Sequence, residues 1–258
     1  MTELPLSPQA RDSTLGRLLQ ELSWVGSNIR AYRDGGRGFE NVLTAEVFTV
    51  LDYLPRTAFL GAVIASATGA AEARRRVVEE IEKAELTLLP DELILHRPPT
   101  GGSVVVQPDG ILVSPSCYVL IEAKRIRRSS FQKEQLAREY AAVFQEAQAR
   151  TPLLLLLLGA PPPVLVAGEG RLSVEEAVAR HLGKFSPPAE LPRLLDELRN
   201  VVAWTTWAQL RQVVESQAVA FRRDDDSVAG SVARLSGAVT DAVRRHAEPD
   251  VRTSAPEA

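Results

Sequence analysis

The spacing of hydrophobic residues changes several times along the chain, and each change marks an element. From Asp12-Ser13, a capping pair, Leu15, Leu18, Leu19, Trp24 and Ile29 recur at helical spacing until Asp34-Gly35-Gly36 ends the run. The residues before it, 1–11, hold two prolines and read as a loose tail. A second helix places Val42, Leu43, Val47, Leu51 and Leu54 on one face and stops at Pro55. The small apolar stretch 57–70 and the amphipathic stretch 71–86 read as two further helices meeting near Gly69. In the latter, Arg74, Arg75 and Arg76 are followed by Glu79, Glu80 and Glu82, and Arg75 and Arg76 stand three or four residues from Glu79 or Glu80, the spacing of a solvated helix face with weak ion pairs.

The period then becomes that of strands, over 92–96, 103–107 and 118–124, separated by Pro/Gly and Ser-Pro-Ser turns; the last two strands are expected to pair as a hairpin. A long helix is expected over 130–149, burying Phe131, Leu136, Tyr140, Val143 and Phe144. The uninterrupted apolar run 151–158 is the pattern of a central strand covered on both faces. Beyond it come a loop with Pro161, Pro162 and Pro163, a helix capped by Ser173 and running to Leu182, a short helix over 189–199, a strand over 201–205, a helix over 206–222, and a last helix to His246. This order predicts an α/β fold, a mixed sheet flanked by helices, in one domain over 12–246 with a tail over 247–258.

Composition narrows the function classes. With 45% apolar and 24% charged residues among 258, the chain is that of an ordinary globular protein. A net charge of -3 argues against a uniformly basic surface but leaves a local basic groove open. Cys117 is the single cysteine, so an internal disulfide and a cysteine-rich zinc site are excluded, and a reducing, cytoplasmic location is expected. The start of the chain lacks the pattern of a signal peptide, and the run 153–158 is far too short to span a bilayer, so no membrane role is expected. His96, His181 and His246 have no metal-ligand spacing, and no Walker loop or Gly-x-Ser-x-Gly elbow occurs.

The chemistry concentrates in one stretch: Pro108-Asp109, twelve residues, then Glu122-Ala123-Lys124. Alternation on a strand puts Glu122 and Lys124 on one face and Val119, Ile121 and Ala123 on the other. Two carboxylates could hold a hard divalent cation through oxygen, and an amine beside them could steer or activate water for attack on a phosphodiester. The bland alternative is a turn at Asp109-Gly110 and a surface Glu–Lys pair on an edge strand.

The Pro-Asp, spacer, Glu-Ala-Lys pattern, preceded by a glutamate-bearing helix and followed by a helix and a buried strand, resembles the PD-(D/E)XK nuclease superfamily. The resemblance covers about 38–222 and implies a restriction-endonuclease-like mixed sheet with extra N- and C-terminal helices. It implies that Asp109, Glu122 and the Ala123 carbonyl bind Mg²⁺, with Mn²⁺ as a substitute, and that Lys124 positions or activates the water. A further ligand is expected from the first core helix, at Glu40 or, failing that, Glu46. Gln135 matches a glutamine that follows the lysine in several members; Tyr140 is one position too far on to match their tyrosine. The implied partner is nucleic acid, with DNA expected, and double-strand cutting is compatible with a homodimer or partner proteins. Arg125, Arg127 and Arg128, with Lys133 and Arg138 beyond them, are either phosphate contacts or solvated surface. Trp204 and Trp207 are expected in the core, with base stacking as the alternative. The alternative for the whole chain is a nucleic-acid-binding or protein-interaction module of this fold with little or no catalysis.

Overall fold

The computed structural model describes residues 38–96, 101–126, 128–224 and 226–247, and no side chains at 38–40 or 222–227. The helix expected over 12–34 lies outside the described residues, as does the tail expected over 247–258 apart from Ala247, which is buried and bonded to the Val243 carbonyl. In chain order the elements are α1 (Gly38–Tyr53), α2 (Leu60–Ser66), β1 (Thr68–Gly69), α3 (Ala71–Glu79), a 3₁₀ turn (Ile81–Lys83), β2 (Glu85–Leu88), β3 (Leu93–His96), β4 (Ser103–Val106), β5 (Gly110–Val113) and β6 (Cys117–Ala123). They continue with β7 (Ser130–Phe131), α4 (Gln135–Ala147), β8 (Thr151–Leu158), β9 (Val164–Val166), β10 (Gly170–Leu172), α5 (Val174–Leu182), α6 (Leu191–Asp196), α7 (Leu198–Val201), β11 (Val202–Thr206), α8 (Trp207–Asp224) and α9 (Asp226–His246).

A six-stranded mixed sheet in the order β1-β11-β8-β6-β5-β2 forms the centre. β2, β5 and β6 are antiparallel neighbours, β8 and β11 run parallel to β6, and β1 is antiparallel to β11. The mixed α/β architecture follows the expected order of elements. Alternation along β6 and β8 divides the core in two. Val119, Ile121, Ala123, Leu153, Leu155 and Leu157 face α1, α2, α3, α8 and α9. Tyr118, Leu120, Leu154, Leu156 and Leu158 face α4, α5, α6 and α7. The leucine run of β8 is buried throughout because helices cover both of its faces.

The hairpin differs from expectation. β6 pairs with β5, a strand of Gly-Ile-Leu-Val hidden in the sequence behind Pro-Asp-Gly, whereas β4 pairs with β3 in a separate two-stranded ribbon. Pairing β4 with β6 would have left 108–116 as a loop carrying three apolar residues with no core to enter. The ribbon instead packs Leu95 and Val106 on the α4 side of the core, and Gln145 clamps it by donating to the Ile94 carbonyl at 2.9 Å and accepting from the His96 amide at 3.3 Å. Two smaller corrections concern the helices. α4 begins only at Gln135, because Phe131 belongs to β7 in a three-stranded sheet with β9 and β10, and the helix expected over 189–199 is split into α6 and α7.

Glu80, at the end of α3, pins the β5–β6 turn. Its carboxylate accepts from the Ser114 hydroxyl at 2.5 Å and the Ser116 amide at 2.9 Å. These bonds, Ser114 foremost, hold its pKa below the usual carboxylate range. A carboxylate depressed in this way contributes stability that is present above its unfolded pKa of about 4.3 and is lost as the pH falls through the folded value. Glu80→Gln is therefore expected to melt below the native chain at pH 7, and the gap should close in acid. Thermal midpoints across that range check this; a gap independent of pH would contradict it.

Candidate functional site

The hairpin register brings the two halves of the motif together. Gly110 pairs with Ile121, so Asp109 arrives beside the C-terminal end of β6. Its amide donates to the Ile121 carbonyl at 3.1 Å and its carbonyl accepts from Leu89 at 3.0 Å. Its side chain closes the ladder: Oδ2 accepts from the Ala123 amide at 2.7 Å. The carboxylate of Asp109 is thereby fixed against the Glu-Ala-Lys segment, next to the Ala123 peptide.

β6 is flanked by β5 and β8, so the surface-pair alternative for Glu122 and Lys124 does not describe this chain. Glu122 continues the face of Tyr118 and Leu120 toward α4 and is 3% exposed, which obliges it to find partners. The Lys124 ammonium donates to Glu122 Oε1 at 2.9 Å and lies 5.0 Å from the centre of the Phe131 ring. Gln135 Nε2 donates to the same Glu122 oxygen at 2.5 Å, while its own carbonyl accepts from the Gln132 amide at 3.1 Å. The Lys124 backbone is held as well, its amide by the Leu157 carbonyl at 2.7 Å and its carbonyl by the Trp207 indole at 3.2 Å.

Asp109, Glu122, Lys124 and Gln135 all line one cleft of about 470 Å³, together with Asn41, Arg138 and Glu139. Glu139 was not among the residues singled out from the sequence. It is 2% exposed, and its Oε2 has no hydrogen-bond partner. Burial first, and then the neighbouring Glu122 charge, push its pKa well above the usual carboxylate range, opposed by Lys124 and by a hydrogen bond from Gln135. The signal for it was present: Glu139 is four residues after Gln135, so a helix presents both on one face.

Other expected residues lie elsewhere. Glu46 points away from the cleft, to Arg245 and His246, each at 3.4 Å. The Glu40 side chain lies outside the described residues, although its neighbour Asn41 borders the cleft, which places the first turn of α1 there. Arg125 reaches the His246 carbonyl at 3.3 Å, Arg128 is exposed, and Arg127 lies outside the described residues. Trp207 is buried and Trp204 packs against the α4-side core, as expected of structural tryptophans.

Among the described residues, no group of three or more His, Cys, Asp or Glu side chains is arranged to hold a metal ion. The oxygen donors in the cleft are the two motif carboxylates, with the Glu139 Oε2 that lacks a hydrogen-bond partner beside them. No helix among the described residues is long and apolar enough to cross a membrane. Comparison with protein-family models, curated proteins and solved structures found no match to this chain.

Proposed function

We propose that the chain is a divalent-metal-dependent nuclease of the PD-(D/E)XK type, with a restriction-endonuclease-like arrangement of its mixed sheet, acting on DNA. The observation that carries this reading is the meeting of Asp109, Glu122, Lys124 and Gln135, drawn from three elements, in one open cleft. Asp109, Glu122 and the Ala123 carbonyl would hold Mg²⁺ or Mn²⁺. Such an ion, when bound, offsets the charge that builds on the phosphate oxygens and lowers the pKa of water. Gln135 fixes the rotamer of Glu122. Lys124, held between Glu122 and the Phe131 ring, positions the attacking water and supplies a tunable proton site that arginine could not.

One observation favours a non-catalytic nucleic-acid-binding module instead: Glu122 is already satisfied by Lys124 and Gln135 without an ion. Titration with Mn²⁺ and assay of DNA cleavage separate the two. The nuclease reading expects Mn²⁺ binding that Asp109→Asn and Glu122→Gln each weaken at least about tenfold, accompanied by loss of cleavage. A native chain that binds no Mn²⁺ with DNA present, and cuts nothing, belongs to the other class.

A further inference from the structure

We propose that Arg138 is the residue that receives the backbone phosphate of a nucleic acid in this cleft. Its placement is that of a ligand-facing cation. On α4, Gln135, Arg138 and Glu139 stand at i, i+3 and i+4, so the helix turns all three to the same side, and all three line the cleft. Gln135 is spent on Glu122, and Lys124 is paired with the same carboxylate. Arg138 differs: its Nε is enclosed, out of reach of bulk solvent, and has no hydrogen-bond partner.

The enclosed Nε cannot itself meet an entering ligand, but it leaves the guanidinium unanchored at that nitrogen, and the half-buried side chain presents its terminal amines at the cleft wall. The chemistry of that ligand follows from the group and its surroundings. Arginine carries a permanent positive charge and a planar fork of donors that matches two oxygens of a phosphate. The floor of the cleft carries the Asp109 and Glu122 carboxylates, which would repel a polyanion entering without a compensating cation. Of the arginines that follow the motif, Arg125 is tied to the end of α9 and Arg128 lies exposed, so neither takes this role inside the cleft. The inference rests on the nuclease reading only for the identity of the polyanion; the contact itself is tested without metal.

The experiment is fluorescence anisotropy of a labelled DNA oligonucleotide with the full chain in EDTA, at salt concentrations from about 50 to 200 mM. Loss of one phosphate contact in Arg138→Gln should weaken binding about tenfold and reduce the slope of log affinity against log salt by about one. Arg138→Lys should keep the slope, since the charge remains, and lose part of the affinity with the fork. Circular dichroism and thermal midpoints confirm that the variants are folded, and Arg138→Lys decides the matter if Arg138→Gln is not. Equal affinities and slopes in all three proteins overturn the proposal, as does a native chain that binds no DNA. Mn²⁺ titration of the same proteins reports separately on the nuclease reading: absence of Mn²⁺ binding removes that reading, while a changed salt slope still assigns the phosphate contact to Arg138.

Discussion

Lys124→Met is expected to lose Mg²⁺-dependent cleavage by about 10²- to 10⁴-fold, the range associated with removing a positioned proton-transfer group. It should also destabilise the fold. Lys124 and Glu122 form a pair whose side chains are 12% and 4% exposed, so methionine leaves a buried carboxylate without its counter-charge. Breaking such a pair from one side costs about 3 kcal/mol or more, whereas replacing both partners is close to neutral. The double variant Lys124→Met with Glu122→Gln should therefore regain most of the lost stability and none of the activity. Urea denaturation and a plasmid-cleavage assay read the two quantities independently. If Lys124→Met destabilised the chain but cut DNA at the native rate, the lysine would be a structural counter-ion and the proposed chemistry would fail.

The second large effect comes from a glycine remote from the motif in sequence. Gly159 directly follows β8, and a Cβ added there would lie 2.3 Å from the Ile126 Cα and carbonyl carbon. Ile126 is two residues after Lys124, and the obstruction is main chain, which cannot rotate aside. Gly159→Ala must therefore part the end of β8 from the segment that carries the lysine, at a cost of about 3 kcal/mol, the upper part of the overpacking range. Cleavage and metal binding should fall with it even under conditions where the variant is folded. Gly237→Ala is the matched control. It sits in α9 with open space around the added methyl and is expected to be neutral or slightly stabilising, because alanine is the better helix former. Equal melting of the two variants would show that the close approach at Gly159 is not required.

Much of the sheet was legible because its central strands have strong patterns. The leucine run of β8 is apolar at every position, and β6 alternates between two buried faces, so the shared face of Glu122 and Lys124 followed from spacing. The pairing of β6 was not legible. β5 is only four residues long and starts with Gly110 after Pro-Asp, which reads as a turn; the actual turn is at Ser114, whose amide donates to the Cys117 carbonyl at 3.0 Å. Glu46 followed helical spacing as well as Glu40 did, and only the packing of α9 against α1 reveals that it is engaged by Arg245 and His246. A glutamate in an amphipathic helix is ordinarily on the solvated face, so the sequence does not mark Glu139 as buried. α4 packs on β6 and β8, and the side it shares with Gln135 turns Glu139 toward Glu122 and Lys124.

The ribbon also gives the cleft two walls of unequal compliance. Glu122 belongs to β6, which is hydrogen-bonded along both edges and can move only if the central sheet opens, and Asp109 is bonded to the same strand through the Ala123 amide. The ribbon, from which Val105 reaches the rim, rests on α4 through a few apolar contacts and the Gln145 clamp. Local opening begins where such attachments are fewest. A ligand broader than the cleft would thus be admitted by displacement of the ribbon, with Glu122 on β6 left in register.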